Sequence, residues 1–283
     1  MILLPPSEGK AIGGSGPAWP AATIGASSAA GSMVAGDLDA RRLQVAAALG
    51  RAMKRSKAAR GKLLGVKGEA LTAATATNLE VLTGPTRPAI ERYTGVLYGA
   101  LDAASLPAAH RRRLATQVRI LSGLWGVVGP ADPIPDYKLK MGASLAPLGK
   151  LSTWWRPMVT AVLAPEVAGR VVWNLLPNEH AAAWAPAPVA GGDPSDGAAR
   201  TVISVRFLDQ VVRAGRVELV AVSHWNKLLK GALVRHVLAT QLAEPAGLAD
   251  FTHSLGYRYV PDLTVSHDDG IGVTVSLVKP RTG

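Results

Sequence analysis

Two short stretches combine residues able to move a proton with residues able to hold an anion. "WNLLPNEH", Trp173 to His180, places Asn174, Glu179 and His180 directly after an apolar run. Glu179 is the candidate general acid or base there, with a titratable imidazole beside it. "PIPDYKLKMG", Pro133 to Gly142, sets Tyr137, a hydroxyl donor, next to Lys138 and Lys140. The same arrangement of a polar turn after an apolar strand recurs three times. "MILLPPSEGK" ends on Lys10, "VRILSGLWG" carries Ser122, and "LVAVSHWNKLLKG" carries His224, Lys227 and Lys230. Ligand crevices in open α/β sheets form outside the carboxyl ends of the strands. If these strands lie in one sheet and run the same way, Ser7, Lys10, Ser122, Tyr137, Asn174, Glu179, His224 and Lys227 share one cleft. The opposing reading is that any turn after a strand needs polar residues.

Other patterns are weaker. Gly9-Lys10 is followed by Ala11 and preceded by prolines, which excludes a P-loop, whose Gly-Lys must lead into Ser or Thr. "KLLGVKGEALTAATATN", Lys62 to Asn78, has the outline of a helix-hairpin-helix. Gly65 and Gly68 would turn the chain, Lys62 and Lys67 would flank the turn, and the second helix would present its N–H groups to a phosphate. The Gly-Val-Lys-Gly turn is one residue longer than the usual Gly-apolar-Gly, and a plain αα turn with a glycine cap fits equally. At helical spacing His224, Lys227, Lys230, Gly231 and Arg235 fall on one side, with Gly231 leaving room for a ligand or a backbone to approach. None of the six histidines has metal-ligand spacing, so neither a metal nor a cofactor is expected. Spacing alone establishes no catalytic set, and whether the chain is an enzyme stays open.

The elements that must position these residues are legible as periodic runs. "MILL", "VRIL", "VVWNLL", "TVISVRFL", "VELVAVS" and "GVTVSLV" read as strands. Leu38–Lys57, Glu69–Leu79, Pro88–Ala103, Ser152–Leu163 and Trp225–Ala243 read as helices. The order predicts an α/β (mixed α+β) fold, with one domain over residues 1–283 and a mixed sheet flanked by helices. Gly13–Gly36 and Ala185–Ala199, rich in Gly, Ala, Ser and Pro, read as flexible loops within it.

The chain has 283 residues, 48% hydrophobic and 18% charged, and a net charge of +11. It has no cysteine, which excludes disulfides and Cys-ligated metals. Its apolar runs are broken by Pro, Glu or Arg, so no membrane span is expected. No basic segment precedes Pro5, which argues against a secretory signal and for a cytoplasmic setting. The positive charge is segregated. Ala40–Gly68 holds no acid, His110–Arg119 is a second basic cluster, and Ser223–Ala243 a third. That is the footprint of a polyanion partner, against the alternative of surface filler.

On "ILLPPSEGK", "RYTGVLYGAL", "RILSGLWGVVGPADPIPDYKLKMG", "VVWNLLPNEH" and "SHWNKLLKGALVRHVL", the chain resembles the YaaA-like peroxide stress protein family. The resemblance runs from near the N-terminus to beyond residue 235. It implies a single-domain α/β fold with a positively charged cleft and a helix-hairpin-helix element. It also implies binding of double-stranded and distorted DNA, and protection under peroxide stress by limiting iron-dependent (Fenton) damage. Carried over, the cleft gathers Lys10, the Tyr93–Tyr98 segment, Ser122, Tyr137, Lys138, Asn174, Glu179, Lys227, Lys230 and Arg235, with the hairpin at Leu64–Ala74. Two functions are then in contention. One is a DNA-binding protein that contacts phosphates without strong sequence specificity. The other is an enzyme on a nucleotide or similar small anion, with Glu179 as acid/base, Tyr137 as donor, and Lys10, Lys227 and Arg235 as clamp. Glu179 discriminates, because a carboxylate in a DNA groove repels phosphate.

Overall fold

A computed structural model describes residues 1–19, 33–186, 200–222 and 225–281. The first half runs β1 (Ile2–Leu4), α1 (Met33–Met53), α2 (Lys57–Leu64), α3 (Gly68–Leu79), β2 (Arg87–Pro88), α4 (Ala89–Arg92), α5 (Val96–Leu101), α6 (Ala108–Gln117), β3 (Val118–Ser122), β4 (Gly126–Val128) and β5 (Pro133–Ile134). The second half runs β6 (Ser144–Leu145), β7 (Gly149–Lys150), α7 (Leu151–Val167), β8 (Val171–Asn174), α8 (Asn178–Ala181), β9 (Thr201–Arg213), β10 (Arg216–Ala221), α9 (Asn226–Thr240), β11 (Arg258–Tyr259), β12 (Val265–Ser266) and β13 (Gly272–Lys279).

Among the described residues nine strands join one mixed sheet, whose main path is β11-β13-β9-β8-β1-β3-β4. Its centre is parallel: β1 pairs with both β3 and β8, β8 with β9, and β9 with β13. Covered on both faces, these strands read as unbroken apolar runs; every residue of β1 and of β3 is buried. Arg119 within β3 is held by an ion pair to Glu166 at 2.6 Å and a hydrogen bond to Val118 O at 2.8 Å. One buried cluster extends from Ile2 to Leu277, so the chain is a single mixed α/β domain. No helix among the described residues is long and apolar enough to cross a membrane.

Each predicted strand is present, and so is a helix in each predicted helical stretch. Two helices are cut shorter. Pro88–Ala103 is two helices, because Tyr93-Thr94-Gly95 leaves the helix and Tyr93 forms a bridge with Lys10. The helix expected to reach Lys57 stops at Met53, and α2 starts at Lys57 under the Ser56 cap. The Gly13–Gly36 loop is corrected at both ends. Trp19 is 2% exposed and packs edge-on against Trp125, and Met33–Gly36 begin α1. The middle of that loop, most of Ala185–Ala199, and Ser223-His224 lie outside the described residues.

Candidate functional site

β1, β3 and β8 lie side by side and point the same way, so their carboxyl ends deliver Pro5–Lys10, Ser122 and Leu175–His180 to one edge. The fourth expected strand, β10, is antiparallel to β9 and does not share that direction. The helix after it, α9, reaches the same edge. There a cavity of about 400 Å³ is lined by Ser7–Lys10, Gly95–Tyr98, Tyr137–Lys140, Leu175, Pro177, Glu179, His180, Asn226, Lys227 and Lys230. Five of those residues are lysines and two are glutamates.

Among the described residues the Lys10 ammonium has one hydrogen-bond acceptor, Ser7 O at 3.0 Å, and it stacks over the Tyr137 ring at 4.2 Å and the Tyr93 ring at 5.7 Å. Burial pushes its pKa down to about 8; Asp136 and Glu8 oppose that shift, and Lys138 and Arg92 add to it. Lys230 is held by Leu175 O at 2.9 Å and burial lowers it, too, to about 8. Glu8 bridges the mouth, with Lys138 Nζ at 2.8 Å and Lys140 Nζ at 3.3 Å. The hydrogen bond from Lys138, with both lysine charges, outweighs partial burial and holds the Glu8 carboxyl at about 2. The lysine loop itself is clamped by Asn78 of α3. Its side chain accepts from Lys138 N at 2.8 Å and donates to Lys138 O at 2.9 Å.

Behind the wall runs a buried hydroxyl chain. Ser122 Oγ accepts from the N–H groups of Leu124 and Trp125, both at 3.2 Å, so its own proton goes to Tyr137 Oη at 2.7 Å. Tyr137 Oη meets Tyr93 Oη at 2.8 Å. Three hydroxyl protons serve two hydroxyl–hydroxyl contacts, so one phenolic proton is left over. Burial raises Tyr137 to about 12 and raises Tyr93 well above its ordinary value, so both phenols stay neutral. Opposite them, three polar atoms of the lining have no hydrogen-bond partner among the described residues: both ring nitrogens of His180 and Asn226 Oδ1. His180 is 6% exposed, and burial lowers its pKa to about 4. Its Nδ1 is 3.5 Å from Glu179 Oε1, too long for a good hydrogen bond.

The structure therefore gathers Lys10, Tyr137, Lys138, Glu179, Lys227 and Lys230 around one cavity. Three other residues named from the sequence are absent from its lining. Ser122 is fully buried and touches Tyr137 and backbone, supporting the wall without lining it. Asn174 turns back to accept from Leu176 N at 3.2 Å, shaping the turn before Glu179. Arg235 caps the end of α5, donating to Leu101 O at 2.7 Å, Asp102 O at 3.0 Å and Ser105 Oγ at 2.9 Å. Gly231 likewise serves packing: a Cβ there would overlap Leu97 O, so the glycine lets α9 and α5 touch.

Lys62, Gly65, Lys67 and Gly68 lie outside the cavity, at the exposed αα turn between α2 and α3. Both glycines have left-handed backbone, φ 67° and 58°, and Gly65 N–H closes on Gly61 O at 2.9 Å. The turn still borders the mouth, since a Cβ on Gly65 would sit 3.6 Å from Lys140 Nζ. The sequence reading did not assign Lys140, His180 or Asn226 to the site. Lys140 had a signal: it follows Lys138 by two residues in an extended loop, which puts both on one side.

The family described as Peroxide stress protein YaaA matches residues 1–263. The chain belongs to this family. A UPF0246 protein of Streptomyces coelicolor is 41% identical over 261 residues, covering 91% of each chain. One from Corynebacterium glutamicum is 34% identical over 261 residues, covering 88% of this chain and 89% of its own. The family's name supports a role in oxidative stress.

Proposed function

We propose that the protein acts in the cytoplasm under peroxide stress by binding DNA at the lysine-lined mouth and the adjoining αα turn, limiting iron-dependent damage to it. One observation carries this reading: five lysine side chains converge on one cavity, and the basic turn at Lys62–Gly68 adjoins that mouth through Lys140. The α3 N-terminus has no side-chain cap, so its first N–H groups are free to meet a phosphate. Binding of this kind rests on counterion release, and each phosphate neutralised adds about −0.9 to the slope of log K against log salt. Fluorescence anisotropy with duplex, bulged and four-way-junction DNA across a salt series tests it. A steep slope, and binding by Glu179→Gln at least as tight as that of the unaltered protein, are expected. Absent or non-saturable binding at moderate salt overturns it.

A second reading is favoured by the cavity's size and its orphan atoms. A volume of about 400 Å³ falls in the range of small-molecule sites and admits one nucleotide-sized group, not a duplex. Glu179, His180 and Asn226 sit where such an anionic substrate would rest, and a pure phosphate binder gains nothing from them. Here Glu179 is the acid/base. Turnover of nucleotides that is lost in Glu179→Gln supports this reading.

A further inference from the structure

We propose that Lys10 is the amine nucleophile of an imine-forming site whose substrate is an aldehyde carrying a phosphate. The inference rests on the reading that the cavity takes an anionic ligand, and adds what chemistry happens there. Imine formation needs an amine with a free lone pair, an acid beside it, an anchor for the electrophile, and shelter from water. All four requirements are met around Lys10.

The amine comes first. Lys10 lies over two phenol rings and has no carboxylate within ion-pair distance among the described residues. The neighbouring Glu8 is committed to Lys138 and Lys140. An ammonium offers three donors, and among the described residues only Ser7 O receives one. Losing a proton therefore sacrifices little hydrogen bonding, which agrees with the lowered pKa. A lysine desolvated in this way is a standard route to an activated amine. The acid is the leftover phenolic proton of the Ser122–Tyr137–Tyr93 chain, whose Tyr137 ring lines the cavity with its centroid 4.2 Å from Lys10 Nζ. The anchor is Lys227, Lys230 and the Lys138–Lys140 pair on the same cavity wall.

The step balances without any redox partner. The Lys10 Nζ lone pair attacks the aldehyde carbon, and the carbonyl oxygen takes up the phenol's proton. One amine proton then leaves with that hydroxyl as water, and the other restores the phenol. A carbon–nitrogen double bond remains. Two sources supply such an aldehyde: a free sugar phosphate in its open-chain form, or the deoxyribose of an abasic site extruded from DNA into the cavity, as enzymes acting on bases do.

The test is chemical trapping on the full-length protein. It is incubated with ribose 5-phosphate in one arm and with a duplex holding one abasic site in the other. Borohydride, which reduces an imine to a stable secondary amine, is then added, and the modified lysine is located by peptide mass mapping. A single reduced adduct on Lys10, lost in Lys10→Arg at an unchanged melting temperature, is the expected result. The arm that gives it identifies the source. An adduct confined to Lys230, adducts spread over the exposed lysines, or no adduct in either arm overturns the proposal. Mapping is done on the unaltered protein, so the answer survives if Lys10→Arg folds poorly. Anisotropy on the same duplex without borohydride reports binding separately: bound but untrapped DNA sinks the imine step and leaves DNA binding standing.

Discussion

Three acceptors surround the guanidinium of Arg42: Trp125 O at 3.0 Å, Val127 O at 2.7 Å and Asp39 at 2.8 Å. Among the described residues, one accepts from the ammonium of Lys10. The contrast holds across the molecule. Arg92 reaches the carbonyls of Ile134, Ala11 and Pro85; Arg113 reaches Leu238 and Ala239; Arg235 closes the end of α5. A planar fork with five donors suits such work, and its charge is then used up inside the chain. The lysines at the cavity have few partners or share one. The net charge of +11 thus overstates what faces a polyanion, because much of the arginine in the basic clusters is clamped to backbone. Buried groups left short of partners cost stability, and their gathering at one cavity points to function there.

The largest expected effect breaks the arginine side of this comparison. Arg42→Met leaves Trp125 O and Val127 O buried without a donor, and is expected to cost about 3 kcal/mol in chemical denaturation. DNA affinity of the folded fraction should not change. If Arg42→Met proves milder than Lys10→Met, the two regions are not used differently and the contrast fails.

On the cavity side the next effect is acid sensitivity. His180 has a folded pKa of about 4 against an ordinary 6.5. Between those values the unfolded chain binds the proton more readily, so stability is lost as pH falls from about 6.5 through 4. The loss is about 3 kcal/mol. The melting temperature of His180→Leu should gain on that of the unaltered protein as the pH drops from 7 to 4. Parallel curves would mean that His180 takes up its proton in place.

Lys10 and Lys230 reverse the sign expected of a salt-bridged lysine. With folded pKa values near 8 against 10.5, each is disfavoured as a cation in the fold. Stability is lost as pH falls from 10.5 through 8, and the whole penalty is present at neutral pH. Lys10→Met and Lys230→Met are each expected to raise stability at pH 7 by on the order of 1 kcal/mol, and to gain nothing near pH 10.5. Both should weaken anion binding. Destabilisation at pH 7 by either variant would show that its lysine is structural, as Arg42 is.

The sequence carried the sheet well, because a central parallel strand has no polar face: "MILL" and "VRIL" are all apolar or nearly so. It also carried the polar strand ends. Side-chain direction at those ends was not legible. Ser122 and Asn174 follow apolar runs as Lys10 does, but each short side chain finds a local backbone partner, and no one-dimensional pattern shows that. Arg235 shares the helix side of Lys227 and Lys230, and its reach takes it to the end of α5. Gly231 looked like room for a ligand and is room for Leu97. His180 was named only as a neighbour of Glu179, since burial without a partner is a property of the packed wall and not of a motif.

The smallest effect sharpens the comparison most, because it asks whether the lysines at the mouth are free or already employed. Glu8 occupies Lys138 and Lys140 as a phosphate oxygen would, and with its carboxyl at about 2 it stays charged at any working pH. It is largely exposed, so Glu8→Gln is expected to change stability by less than about 0.5 kcal/mol. Binding should respond more than folding does. With the internal anion removed, DNA affinity at low salt is expected to rise about threefold, and the salt slope to steepen by roughly one phosphate. The gain should shrink as salt rises, because screening acts on the same charges. A fall in affinity would mean that Glu8 holds both lysines in their working positions. Lys138 and Lys140 would then belong with the clamped arginines, and the free charge of the cleft would reduce to Lys10, Lys227 and Lys230.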